Sequence, residues 1–545
     1  SLSPAQVVSA KNLTSSGAAA TSKYADGTTA ATLSGGSLSG VVTGDEASVT
    51  LNQTGGFATA SAGTGIAVTG TCSLSGSKTT NYTVTQPTGL AADIHAAAIW
   101  TGASGNLWNT TGNWIDNLVP DGANVTADFT TLDITADTTV NLNSPRTIGK
   151  LKFADTDDSS PAGWTLANNA TPANILTLAG TTPTVDVGIM DYFKTANISA
   201  VVAGSAGLKK SGIGILNLSG ANTYTGVTLV DEGTLKTGNA AALGAVSDGT
   251  SVTASGILDF NGTALTNEPI TLSGGKLVND GGADQINAVG GAVTVTSDST
   301  FGGLKRWDFR ASGASLTINS GITVTKDDSN VVAVVARPVT NNGTIVINSG
   351  AFAFHTGGTY SGDFTVNSGG ELQLGSFNSA TPLILTSDIT SNGGTMTFVD
   401  STGTGGLPTF SGDIDMATSS TTTLGGAASG YFTGEFSGDA DVYKTGAGTA
   451  ILTAVNTYTG TTTINAGEIR LGNNSAINTT SSITANSGGR LGIADGVTTG
   501  SGQSVSIAGS GGNFFGALQG ASGTAEWQGT VVAADIAGTR VGGDA

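Results

Sequence analysis

The stretch GILNLSGANTYTGVTLVDEGTLKTGNAAALG, Gly214–Gly244, decides how the rest of the chain is read. It places a short alternating run, the motif Asn222-Thr-Tyr-Thr-Gly226, a second alternating run and an acidic residue before a Leu and another Gly. The same order returns at Thr449–Asn478, TAILTAVNTYTGTTTINAGEIRLGNNSAIN. Lys210-Ser-Gly-Ile-Gly precedes the first copy at the spacing with which Lys444-Thr-Gly-Ala-Gly precedes the second. A looser copy, Gly358-Thr-Tyr360-Ser-Gly362, runs on into Asp363-Phe-Thr-Val-Asn-Ser-Gly-Gly-Glu-Leu-Gln-Leu-Gly375. Period-two alternation marks strands. A small β unit that recurs buries its apolar face by stacking on its neighbours, which predicts a solenoid.

Composition agrees with thin β layers. Gly supplies 83 of 545 residues but Pro only 11, without a Gly-X-Y period, which argues against collagen. The formal net charge of −19 repels phosphate backbones, so no nucleic-acid partner is expected. No apolar run is long enough to cross a bilayer as a helix. The single cysteine, Cys72, excludes an internal disulfide and reads as a small buried hydrophobe. The chain opens at Ser1 without a signal sequence, and Gly538–Ala545 reads like an interrupted repeat; a processed form or a piece truncated at the C-terminus is therefore expected.

Residues 1–95 carry short runs about every ten residues, separated by Gly and Asp turns, which predict a small Ig-like β-sandwich. They resemble the YDG-type bacterial surface domain, with an Ala inserted in the signature Tyr24-Ala-Asp-Gly27. Residues 96–130 follow as a Trp-rich cap leading into the solenoid. Trp100, Trp108 and Trp114 form either a plug on its first coil or a sugar-stacking platform, and terminal repeats need the plug. Residues 131–545 are expected to form a long right-handed parallel β-helix, with repeats of about 20–25 residues and three short strands each. The fold class is thus all-β.

The copies at 208–244 and 442–478 are similar to the autotransporter-associated β-strand repeat, also called the passenger-associated transport repeat. Lys210, Gly212, Gly214, Leu216, Leu218, Gly220, Asn222, Thr223, Tyr224, Thr225, Gly226, Thr228, Val230, Gly233 and Leu235 follow its pattern. The second copy departs from it at Ala450 and Ala454. The opening W-T-G-x-x-G-N-x-W wording of the Trp-rich segment looks like the start of the same family. The resemblance implies a secreted β-helix of a bacterial surface protein with adhesion or scaffolding roles, and it carries no catalytic residues.

The motif residues Asn222, Tyr224, Gly226, Tyr360, Gly362, Asn456, Tyr458 and Gly460 read as coil-building. Tyr packs over a coil edge, Asn bonds into the turn and ladders with adjacent coils, and Gly permits the corner. Lys305, Arg306, Trp307 and Arg310 form the one concentrated basic group and a candidate contact patch. His95 and His355 lack the local surroundings of a catalytic triad and read as surface or turn residues. No metal motif is present: Asp157-Asp158 and Asp327-Asp328 would suit calcium, but no EF-hand accompanies them, and no cofactor is expected. Lys23 or Lys78 are the lysines that an isopeptide crosslink would use. The sequence therefore predicts a non-enzymatic extracellular or cell-surface structural protein, an adhesin or filament subunit. Its expected partners are copies of itself, other surface proteins or glycans. The alternative is a polysaccharide-binding or polysaccharide-degrading protein on the same scaffold.

Overall fold

The computed structural model describes residues 9–157, 160–190, 194–377, 379–400, 404, 406–477, 482–511, 516–521, 523–534 and 538–543. The chain is all-β: a small N-terminal β domain is followed by a long β-solenoid. It divides into two compact units, Ser1–Gly226 and Val227–Ala545.

In the first unit the β domain is built on a long antiparallel hairpin, Thr50–Phe57 with Gly63–Ser75, in register from Thr50↔Ser75 to Phe57↔Val68. Leu90–His95 joins it antiparallel and in turn pairs with Lys23–Tyr24 in parallel. Lys11–Ser16 lies between Ser37–Ser39 and Tyr82–Val84 in a second small sheet. Each sheet has its own apolar cluster, Phe57, Val68, Ala92 and Ile94 in one and Leu13, Val49 and Tyr82 in the other. Cys72 is buried as a free thiol. Its backbone N–H and C=O bond to the Gln86 side chain, which completes the ladder where no strand does.

The Trp-rich segment comes next, and its three tryptophans lie inside the protein. Trp100 and Trp108 each meet Trp114 edge-on at 5.0 Å between ring centroids, and all three rings pack on Phe129. The Trp108 indole donates to the Pro120 carbonyl, and that of Trp114 to the Trp108 carbonyl. With exposures of 2%, 0% and 1%, these rings offer no stacking platform to a sugar. Phe129 then stacks on Phe153 one coil further on.

The coils themselves are parallel. In the first unit Thr126–Phe129, Lys150–Phe153, Thr184–Val187 and Leu208–Ser211 form one column. Thr138–Asn141, Trp164–Ala167, Thr195–Ile198 and Ile215–Leu218 form a second, and Arg146–Ile148, Leu176–Leu178 and Val202–Ala203 a third. In the second unit Trp307–Phe309, Val331–Val335, Gly350–His355, Gly370–Gly375, Thr395–Asp400 and Thr421–Gly425 stack in sequence. Alternation sorts the side chains. Phe309, Val334, Phe354, Leu374 and Phe398 point inward and are at most 2% exposed, each worth about 1.5–3 kcal/mol of apolar burial. Phe410 and Phe432 continue the core as a parallel ring stack at 5.1 Å.

Candidate functional site

Three lysines stand in inward rows, where apolar residues are the rule. Lys210 is level with Val185, Lys326 lies between Phe301 and Ile347, and Lys444 lies between Leu424 and Ile464. Each is at most 1% exposed. The stems fill core space, and each ammonium turns back onto the carbonyls of the two residues that follow it. Lys210 donates to Ser211 and Gly212, Lys326 to Asp327 and Asp328, and Lys444 to Thr445 and Gly446. The second residue after each lysine has positive φ: 73° at Gly212, 65° at Asp328 and 70° at Gly446. That conformation turns the two carbonyls toward one cation. Burial lowers both Lys326 and Lys444 to a pKa of about 8.

The Asn-Thr-Tyr-Thr-Gly motif lies one corner beyond two of these lysines. Asn222 accepts from the Val202 N–H at 2.9 Å. Asn456 accepts from the Phe436 N–H at 2.8 Å and donates to the Ala476 carbonyl at 2.5 Å. The Asn456 amide is thus a cross-coil bridge to backbone on both sides, not a rung in a ladder of like residues. Tyr224 and Tyr458 are fully buried inside the coil rather than over its edge. Tyr458 shares a hydrogen bond with Thr462, and burial pushes its pKa up to about 12. Tyr360 packs on Phe354 at 4.4 Å. The glycines differ in purpose. Gly226 and Gly362 have φ of 90° and 111°, whereas a Cβ on Gly460, outside the left-handed region, would sit 2.0 Å from the Ala440 carbonyl oxygen.

Asparagine ladders do occur, elsewhere. Asn348 donates to Asp327, Asn367 to Asn348 and Asn392 to Asn367, at 2.9, 2.7 and 2.8 Å. Asp327 therefore ends a side-chain ladder, and Asp328 accepts from Lys276 and from the Gly303 N–H. Of the other acidic pair, Asp158 lies outside the described residues. Among the described residues no group of three or more His, Cys, Asp or Glu is placed to hold a metal ion.

The signature of the N-terminal domain forms a joint within the first unit. The Tyr24 hydroxyl donates to the Leu118 carbonyl at 2.7 Å, and Asn124 donates to the Asp26 carbonyl. Burial and the nearby Asp116 carboxylate push the Tyr24 pKa upward. His95 packs beside Tyr24 and contacts Asp116 at 3.2 Å. Lys23 bonds to Asp26 three residues away and to Thr28, within one turn.

The basic group at 305–310 is split by strand parity. Trp307 points inward, is 0% exposed and donates to the Gly302 carbonyl, so it belongs to the core and not to a contact patch. Lys305 is half-buried. Arg306 grips the buried Asp308 carboxylate with two bonds of 2.7 and 2.8 Å, and Arg310 adds a third at 3.0 Å. His355, read from the sequence as a surface or turn residue, is instead buried, and the coil register brings it to this cluster: its Nδ1 lies 3.5 Å from Arg306 and its ring 4.8 Å from Phe377. Burial, aided by the Arg306 and Arg310 charges, pushes the His355 pKa down to about 4, so the ring is neutral near pH 7. A second buried carboxylate, Glu468, is held likewise by Arg470 and Arg490 beside a groove of about 250 Å³. Carboxylates so engaged hold guanidiniums in place and are poorly suited to move protons.

Comparison with known proteins follows these landmarks. Residues 9–89 match the YDG domain, and residues 208–236 and 442–471 match the passenger-associated-transport-repeat. The chain is 34% identical over 224 residues to the adhesin BmaC autotransporter of Brucella suis biovar 1 (strain 1330), a match covering 38% of this chain and 6% of that protein. It is 28% identical over 318 residues to the uncharacterized lipoprotein YdeK of Escherichia coli (strain K12), covering 53% of this chain and 21% of that protein. The chain thus spans a small part of the length of both relatives. No solved structure matches it at the same stringency. The chain thus carries an N-terminal YDG domain and passenger-associated-transport-repeats, and is distantly similar to an autotransporter adhesin.

Proposed function

We propose that this chain works as an adhesin-like, surface-displayed passenger that presents the outward faces of its coils to a partner and carries out no catalysis. The observation that carries this reading is where the repeat residues go. Lys210, Asn222, Tyr224, Lys444, Asn456 and Tyr458 are all buried, so the motif builds coils and leaves recognition to the outward positions. The similarity to an autotransporter adhesin supports the same role. The engaged state of Asp308 and Glu468 speaks against the polysaccharide-degrading alternative. The test is to display the chain on a non-adherent bacterium and measure attachment to host cells and to immobilised matrix. Attachment above the empty display anchor is expected; attachment no better than the anchor on every surface tried overturns the reading.

A further inference from the structure

We infer that the side chains of Arg310, His355 and Ser376, with Phe377 beside them, form a binding site for an acidic saccharide, engaged through its carboxylate or sulfate group. The coil register assembles them. Phe309 pairs with Val334, Val335 with His355 and His355 with Gly375, so Arg310, His355 and Ser376 come to one end of three strands in the same sheet.

The site has donors left over. His355 and Ser376 are 5% and 1% exposed. His355 Nε2, Ser376 Oγ and Arg310 Nε are buried and, among the described residues, have no hydrogen-bond partner. Leaving such groups unpaired costs about 1–3 kcal/mol each. The tautomer of His355 follows from its neighbour. Arg306 carries only donors, so the ring nitrogen facing it, Nδ1, is the acceptor and Nε2 carries the proton. Nε2–H, the Arg310 Nε–H and the serine hydroxyl are therefore three donors awaiting an acceptor.

The chemistry of the acceptor follows. Asp308 already absorbs Arg306 in a two-bond grip but takes only one N–H of Arg310. The rest of the Arg310 fork suits a planar carboxylate or a sulfate better than a lone hydroxyl. Other charges nearby are Asp284 and Asp400, and Arg337, whose guanidinium bonds to the carbonyls of Arg310 and Ser312 and fixes the end of that strand. Phe377 is 40% exposed and offers an apolar face for a sugar ring. Ala336 and Thr356, with φ of 54° and 69°, hold strained backbone immediately after the neighbouring strands. Strain of this kind concentrates at ligand sites.

This site deepens the adhesin reading and rests on it only for where the saccharide would be met. The test uses the full chain with immobilised polygalacturonate and hyaluronan as carboxylated probes, heparin and chondroitin sulfate as sulfated probes, and dextran as the neutral one. Binding to at least one acidic probe and not to dextran is expected, weakened at least tenfold by Arg310→Met and by Phe377→Ala. Lys194→Ala, a surface charge outside the site, should leave it unchanged. The carboxylated and sulfated arms identify the group. Circular dichroism at wild-type intensity shows that the variants fold. No binding to any acidic probe, or binding that both variants retain, overturns the site. Glycan binding that both variants retain, with cell attachment intact, removes this site while leaving the adhesin reading standing. Glycan binding without cell attachment does the reverse.

Discussion

Lys444 donates its ammonium to the Gly446 carbonyl at 2.9 Å from a position in the core row between Leu424 and Ile464. The contact solves two problems at once. The corner here uses a residue with positive φ, and that conformation turns its carbonyl onto the buried ammonium, which supplies a donor. The lysine stem adds apolar volume on the way.

Lys444→Met keeps the volume and removes the donor. It is expected to lower unfolding stability by about 1–3 kcal/mol, the loss of two hydrogen bonds from a charged donor. Gly446→Ala should cost at least as much, because its Cβ would lie 2.3 Å from the Gly426 carbonyl oxygen and φ is 70°. Urea unfolding of both variants measures this. Equal midpoints for Lys444→Met and wild type would falsify the capping role.

Asn456 joins three coils through two buried bonds. Asn456→Ala strands the Phe436 N–H and the Ala476 carbonyl, and a loss of about 2–4 kcal/mol is expected. Asn456→Asp keeps the acceptor for Phe436 and should recover part of that. Hydrogen exchange at the Phe436 amide reads the same bond: it should accelerate in the Ala variant and far less in the Asp variant.

Stability should change with pH in two opposite steps. Glu268 is 3% exposed and bonds to Thr250; burial raises its pKa from 4.5 to about 7. Its folded-state value is the higher one, so its contribution is complete below pH 4.5 and is lost as pH rises through 7. Lys326 and Lys444 are lowered from 10.5 to about 8, so the cost of burying their charge is relieved as pH climbs from 8 toward 10.5. Urea midpoints should fall between pH 5 and 7.5 and recover by pH 9.5. Glu268→Gln should flatten the first step, on the order of 2 kcal/mol. A first step that persists in that variant assigns it to other groups.

Tyr24→Phe deletes the hydroxyl that reaches the Leu118 carbonyl. The expected loss is about 1–2 kcal/mol, read as an earlier thermal transition in tryptophan fluorescence, since Trp100, Trp108 and Trp114 lie in the segment the hydroxyl contacts. An unchanged transition would mean that solvent already satisfies the Leu118 carbonyl.

The strand columns were legible because alternation survives in many of the described strands, and the solenoid because the Lys-x-Gly-x-Gly and Asn-Thr-Tyr-Thr-Gly wording repeats. The buried lysines were legible in principle. Lys210 shares the parity of Leu208, and Trp307 and Phe309 share one that Asp308 does not, so parity outranks charge when core is sorted from surface. Strand ends were less legible: Thr138–Asn141 is short, and the run from Arg146 is cut into two strands, Arg146–Ile148 and Lys150–Phe153. Gly149 makes that corner with no turn signal beyond itself, because the space for its missing Cβ is filled by Asn124. The cluster around His355 was not legible, since it depends on register between coils of unequal length. The ladder asparagines are likewise 19 and 25 residues apart, too irregular to show as a period.

That ladder has a direction. A carboxylate accepts and never donates when ionised, so Asp327 obliges Asn348 to donate to it, and each amide beyond is oriented in turn. The chain of amides is closed at the Asp327 end and open at Asn392, whose side-chain oxygen can receive one more donor. A coil gained by duplication could therefore be spliced in after Asn392 with its asparagine already correctly oriented. One inserted ahead of Asp327 would instead have to turn its own amide N–H toward the carboxylate, so the direction of the amides reverses across Asp327.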